Sequence, residues 1–188
     1  QLLIAFETCD SMGANFINSC LESFSASLER YITHSEGLSD DHREFERIMA
    51  ILSNYTPDCL VRAWVECPIK ALGNFGGGMT AEDFAEKFHA AVQIAQADPY
   101  RAVTHNKGIF NGIDAVVLAT ANDFRAVEAC GHAYAARNGR YASLSTCDLR
   151  DGLFRFALEV PLALGTVGGL TALHPMARRS LELLGNPG

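Results

Sequence analysis

The sequence predicts an α+β fold in which helices outweigh strands. Six tracts carry apolar residues at helical spacing, and four short apolar tracts have strand character. No GxGxxG occurs at a strand-to-helix junction, which removes a Rossmann fingerprint from consideration. In chain order, residues 1–7 are expected as a strand. A helix over 10–32 follows, with Met12, Phe16, Ile17, Cys20, Leu21, Phe24 and Leu28 on one face and Asp10 as its N-cap. Residues 34–41 are polar turn material, 43–52 a second helix, and 59–69 a strand closed by Pro68. The segment GNFGGG over 73–78 is the most linker-like in the chain and divides it into units 1–72 and 73–188. Thr80 caps a helix to Ala97, with Asp83 as a short capping-box acid, and Asp98-Pro99 ends it. A helix over 106–121, rich in small residues, is suited to close packing. Asn122-Asp123 leads into another helix reaching residue 137, and Asn138-Gly139 turns the chain. Strands at 143–147 and 153–162, a glycine loop at 165–169 and a helix over 174–184 complete the order.

Composition narrows the function. Fifteen Lys and Arg against 22 Asp and Glu give a net charge of −7, and no basic cluster exceeds Arg178-Arg179. Nucleic acid is therefore not an expected partner. No run approaches the roughly 20 apolar residues of a membrane span, since the tract over 160–173 is broken by Pro161, three glycines and two threonines. The cysteines Cys9, Cys20, Cys59, Cys67, Cys130 and Cys147 form no CxxC pair; they are expected as small buried hydrophobes of a cytoplasmic protein. Beginning without Met and ending in the turn-forming Asn186-Pro187-Gly188, the chain is expected to be an internal piece of a longer protein.

Four segments carry chemistry. Asp10-Ser11-Met12-Gly13-Ala14-Asn15 lies where a strand would give way to a helix, a place whose free N–H groups and dipole suit an anion. An ordinary capped helix explains the same residues. Lys107 and Asn111, four apart in THNKGIFNG, share a helix face, and Arg101 precedes them on the expected approaching loop. Such donors suit a substrate bearing carboxylate and carbonyl oxygens, although a solvated lysine is the bland alternative. Asp123 follows an apolar run and suits either proton transfer beside a lysine or plain helix capping. Gly165-Thr166-Val167-Gly168-Gly169 is a glycine loop that lines a ligand or simply turns.

Taken in order, DSMGAN, THNKGIFNG, ATANDFRAVEACGHAYAARNG and GTVGG followed by LHP closely resemble 3-hydroxy-3-methylglutaryl-CoA reductase. The lysine in HNKG points to the class II, mainly bacterial, branch. Ser11 stands where Ala is common, and Ala121 where Gly is common. The resemblance implies reduction of 3-hydroxy-3-methylglutaryl-CoA to mevalonate and CoA by two successive hydride transfers from NAD(H) or NADP(H), or the reverse oxidation, with no metal. It implies Lys107 and Asp123 as catalytic residues and Arg101 and Asn111 as ligands of the hydroxymethylglutaryl group. Asp10, Met12, Gly13 and Asn15 would bind the dinucleotide on a small ferredoxin-like, non-Rossmann domain inserted in a helix-rich large domain with a central small-residue helix. A homodimer, or a higher oligomer of dimers, is also implied. The family's catalytic glutamate and flap histidine have no counterpart here; His105, His132 and His174 lie in other contexts. The isolated 188 residues are accordingly expected to be inactive. Two alternatives stand beside this: a non-catalytic nucleotide-binding or assembly module, and a cysteine acyltransferase acting on CoA thioesters through Cys130 or Cys147.

Overall fold

The computed structural model describes residues 1–73, 75–169 and 173–186. Along the chain it contains α1 (Ala14–His34), α2 (Asp40–Arg43), β1 (Leu60–Pro68), two short 3₁₀ turns (Ile69–Leu72 and Gly76–Gly78) and α3 (Ala81–Ala97). There follow α4 (Pro99–Ala119), α5 (Phe124–Ala135), β2 (Ser145–Arg150), β3 (Leu153–Pro161) and α6 (Pro175–Leu183). The expected α+β class holds as a mixture of helices and one small antiparallel sheet.

The sheet has the order β1-β3-β2. β2 and β3 form a hairpin whose turn residues, Asp151 and Gly152, both have positive φ, the geometry that matches the twist of the flanking strands. β1 pairs with β3 over its full length, from Leu60 opposite Pro161 to Pro68 opposite Leu153. The strand preceding the glycine-rich segment is thus laddered to one that follows it. One sheet face packs on helices. Ala85 and Val92 of α3 meet Cys147 and Phe154, with Phe88 of α3 against both Phe154 and Phe156. A second core joins Phe110 and Val117 of α4 to Val127, Tyr134 and Ala135 of α5, Leu144 and Val160.

Local signals set the helix ends here. Thr80 and Asp83 make the reciprocal capping box, Asp83 N–H donating to Thr80 Oγ1 at 3.0 Å. Asp98 closes α3 and also caps α4, accepting from Tyr100 N–H at 3.0 Å, with Pro99 in the first turn. α4 therefore starts at Pro99 rather than 106, and Arg101 sits in its first turn instead of on a loop. α4 ends at Ala119, and Ala121 adopts φ 58. A Cβ in this left-handed region costs about 1 kcal/mol that glycine does not incur. Ala121→Gly is expected to stabilise the whole protein by about 1 kcal/mol; an unchanged or lower midpoint in thermal unfolding would count against the strain.

Four further expectations are corrected. Residues 1–7 form no ladder among the described residues, and Leu2 and Leu3 are exposed; a strand needs a partner that this stretch does not find. Asp10 does not cap α1, whose N-cap position is Gly13 with no side-chain bond. The helix expected over 43–52 is confined to Asp40–Arg43, because Leu52 N–H donates to Asn18 Oδ1 of α1 at 2.9 Å and the segment lies irregularly against that helix. Such docking overrides helix propensities worth only tenths of a kcal/mol per residue. All six cysteines are free thiols, but only Cys130 and Cys147 are buried, whereas Cys9 and Cys59 are exposed. Asn74 of the linker segment, 170–172 of the apolar tract and the terminal Pro187-Gly188 lie outside the described residues. No helix among the described residues is long and apolar enough to cross a membrane.

Candidate active site

Three of the four chemistry-bearing segments meet. The carbonyl of Asp10 accepts from Thr166 N–H at 2.9 Å, which places the segment before α1 against the glycine loop. A Cβ on Gly165 would come within 3.0 Å of Met12 N, so the absence of a side chain allows this approach. Asn122 grips Gly165 from the other side: Gly165 N–H donates to Asn122 Oδ1 at 2.8 Å, and Asn122 Nδ2 donates to the Gly165 carbonyl at 3.0 Å. Asn122 Nδ2 also reaches Thr120 Oγ1 at 3.1 Å, while its own backbone N–H bonds Val117 O at 2.9 Å. The turn after α4 is thereby tied to the loop that carries the segment before α1.

The geometry before α1 suits the phosphates of a dinucleotide. α1 has no side-chain cap and no acid in its first turn, which leaves its leading N–H groups and positive dipole end for an anion. Gly13, at φ 73 and pressed against the Thr8 side chain, has no room for a Cβ. Ser11 Oγ accepts from Gly13 N–H at 3.1 Å and steadies the turn. Thr166 Oγ1 is buried without a hydrogen-bond partner among the described residues. Asp10 and Asn15 are exposed, while Met12 is half-buried.

Asp123 is the N-cap of α5. Its carboxylate accepts from Arg125 N–H at 3.0 Å and Ala126 N–H at 3.4 Å, and forms an ion pair with the Arg125 side chain at 3.2 Å. The Arg125 guanidinium, helped by these N–H groups, holds the Asp123 carboxyl below its ordinary range and outweighs partial burial. Asp123 is therefore ionised at neutral pH and does not meet Lys107 within this chain.

Lys107 projects from the middle of α4, exposed and without a hydrogen bond or ion pair among the described residues. Asn111 is exposed one turn further on, and Arg101 is exposed near the helix start. Lys107 and Asn111 share a face as the spacing implies, whereas Arg101 lies about 120° around the axis from Lys107. The residues beside Lys107 hold α4 in place. Asn106 is fully buried and bridges Ala142 O and Leu144 N–H, each at 3.0 Å. His105 Nε2 contacts Ser145 Oγ at 2.7 Å, and burial, then the Arg101 charge, push the His105 pKa down. His132 is bonded to Tyr141 OH. Sequence reasoning missed the parts played by Asn106, Asn122 and Thr166, although all three sit inside the motifs, the first two next to residues singled out for their charge.

Both candidate thiols are poor nucleophiles. Cys147 is buried, and that burial pushes its thiol pKa up; Cys130 is buried within α5, where Thr56 N–H donates to its sulfur at 3.3 Å.

A family model described as hydroxymethylglutaryl-coenzyme A reductase matches residues 1–188. The 3-hydroxy-3-methylglutaryl-coenzyme A reductase of Archaeoglobus fulgidus is 39% identical over 177 residues, covering 94% of this chain and 36% of that protein. A probable enzyme of the same name from Borreliella burgdorferi is 33% identical over 184 residues, covering 98% of this chain and 40% of the other. The chain thus spans well under half the length of these curated relatives. Among solved structures, a class II 3-hydroxy-3-methylglutaryl-CoA reductase from Streptococcus pneumoniae bound to NADPH in open conformations superposes with a TM-score of 0.81. It is 41% identical, with 97% of this chain and 46% of that chain covered. Another structure of the Streptococcus pneumoniae reductase gives a TM-score of 0.80 at the same identity.

Proposed function

The chain belongs to the hydroxymethylglutaryl-coenzyme A reductase family, and on that premise we propose that the whole protein interconverts 3-hydroxy-3-methylglutaryl-CoA and mevalonate plus CoA as a class II, cytoplasmic enzyme. The observation that carries this reading is the meeting of the DSMG segment, Asn122-Asp123 and the GTVGG loop, which joins a dinucleotide-suited helix start to the catalytic aspartate. Bound NADH or NADPH would supply the hydride. The chain's own residues do the rest. The start of α1 and the Asp10 segment hold the dinucleotide. Asn111 and Arg101 hold carboxylate and carbonyl oxygens of the acyl group.

Lys107 acts on the carbonyl. Hydride addition turns a planar carbonyl into an oxyanion, and a fixed ammonium aimed at that oxygen stabilises the transition state more than the ground state. Asp123, ionised and at the start of a helix, opposes loss of the lysine proton once the two meet. They meet between subunits of a homodimer. α4 is continuous from Lys107 to Ala119, about 18 Å along its axis, and the turn that delivers Asp123 begins only beyond that point. The outer side of α4, with open space at Gly108 and Gly112, suits close approach of a second chain. The cofactor-binding unit is the small, ferredoxin-like inserted one, represented by residues 1–72, and residues 73–188 belong to the larger substrate-binding unit.

The test is acyl-CoA-dependent oxidation of NADH or NADPH by the whole protein, together with calorimetric titration of each ligand. Asp10→Ala or Asn15→Ala is expected to weaken dinucleotide binding about tenfold, equivalent to ~1.4 kcal/mol, and to leave acyl-CoA binding nearly intact. Loss of acyl-CoA affinity with dinucleotide affinity held would overturn the assignment of the α1 start.

A further inference from the structure

Asn122 lies beside a residue read as catalytic, but its side chain points away from that chemistry. The amide is occupied on both sides: its oxygen takes Gly165 N–H at 2.8 Å, and its nitrogen gives to the Gly165 carbonyl at 3.0 Å and to Thr120 Oγ1 at 3.1 Å. An amide is suited to this double bond with one peptide unit, because it presents an acceptor and a donor together. Thr120 is itself buried and bonded through its hydroxyl to Val116 O and Val117 O, which fixes the near end of the link to α4. The far end continues from Gly165 to Thr166 N–H, which holds the Asp10 carbonyl two residues before Met12 and three before Gly13. The next residue after Asn122 is Asp123. A single side chain therefore sets the loop beneath the segment before α1 and stands one peptide from the candidate catalytic carboxylate.

We propose that Asn122 is a positioning residue that holds the 165–167 loop, and through it the Asp10–Gly13 segment, in the form that receives the nicotinamide dinucleotide. The proposal rests on the functional reading above. Asn122 touches neither substrate nor dinucleotide; it acts through Gly165. Without its amide, Gly165 loses both bonds that tie it to the end of α4, and the Thr166 N–H and the Asp10 carbonyl it holds lose a fixed relation to the start of α1. The effect falls on dinucleotide affinity, while the acyl-CoA groups assigned to α4 keep their places, since the α4 side of the joint is held independently by the Thr120 hydroxyl.

The experiment uses the whole protein with Asn122→Ala and Asn122→Asp, each titrated with NADPH, NADH and acyl-CoA and assayed at varied dinucleotide concentration. Asn122→Ala is expected to raise the KM and Kd of the preferred dinucleotide at least tenfold. Acyl-CoA KM should stay within twofold and kcat at saturating dinucleotide within threefold. Asn122→Asp keeps the acceptor for Gly165 N–H but loses the donor, and is expected between the two. A purely structural role would instead lower the unfolding midpoint and kcat and leave dinucleotide KM unchanged, which would overturn the proposal. A parent protein that turns over acyl-CoA and variants that bind the dinucleotide as the parent does would remove the proposal alone. A parent that binds no nicotinamide dinucleotide would remove both the proposal and the reading beneath it.

Discussion

Lys107→Ala in the whole protein is expected to lower kcat by at least about 10²-fold, the scale of losing one preorganised oxyanion donor, with a smaller change in KM for the acyl-CoA. The split follows from the role. Charge on the carbonyl oxygen develops only as hydride arrives, so an ammonium aimed there contributes more to the transition state than to binding. Lys107 has no competing structural role, since it is exposed on α4 and bonds nothing among the described residues. Its loss should therefore leave the fold intact, and the unfolding midpoint of the variant should match the parent's. Steady-state kinetics with saturating dinucleotide decide the matter. A near-normal kcat would return Lys107 to the status of a solvated helix lysine.

Mixing Lys107→Ala protein with Asp123→Ala protein, each inactive alone, should restore about a quarter of parental activity once subunits exchange at random. Half the dimers are then mixed, and each mixed dimer of an isologous pair has one complete site of its two. This outcome follows from the proposed shared site, in which about 18 Å of continuous helix separates Lys107 from the turn that carries Asp123 of the same chain. Within one chain Asp123 is committed to the α5 N-terminus and Arg125. A partner's lysine would add a second cation to that carboxylate, and the Asp123 carboxyl would stay ionised across the neutral range. Heterodimers shown to form but lacking activity would assign both groups to one chain's site and remove the shared arrangement.

Much of the fold is legible in the sequence because its signals are short. Thr80 with Asp83, Asp98 with Pro99, and Asn138 with Gly139 each act within a few residues, and the structure places a cap or turn at every one. The start of α4 is harder to read because its tract is rich in glycine and alanine and its first turns carry few apolar residues; Asp98 and Pro99 extend the helix back to include Arg101. Ala121 adopts φ 58, a backbone conformation that penalises a Cβ.

By itself, the amino-acid sequence determined which residue types stand in which motif, where helices are capped and that Lys107 and Asp123 cannot pair along one straight helix. Those properties depend on neighbours a few positions away. Only the tertiary structure decided that residues 1–7 lack a ladder, that 44–52 lies irregularly against Asn18, and that β1 joins β3 across the glycine-rich segment. It also decided that Asn122 clasps a glycine 43 residues away and brings three motifs together. Strand pairing and side-chain bonds of this kind need a partner remote in the chain. Whether that partner arrives depends on closing long loops against the entropy of the whole molecule, and no local pattern records the outcome.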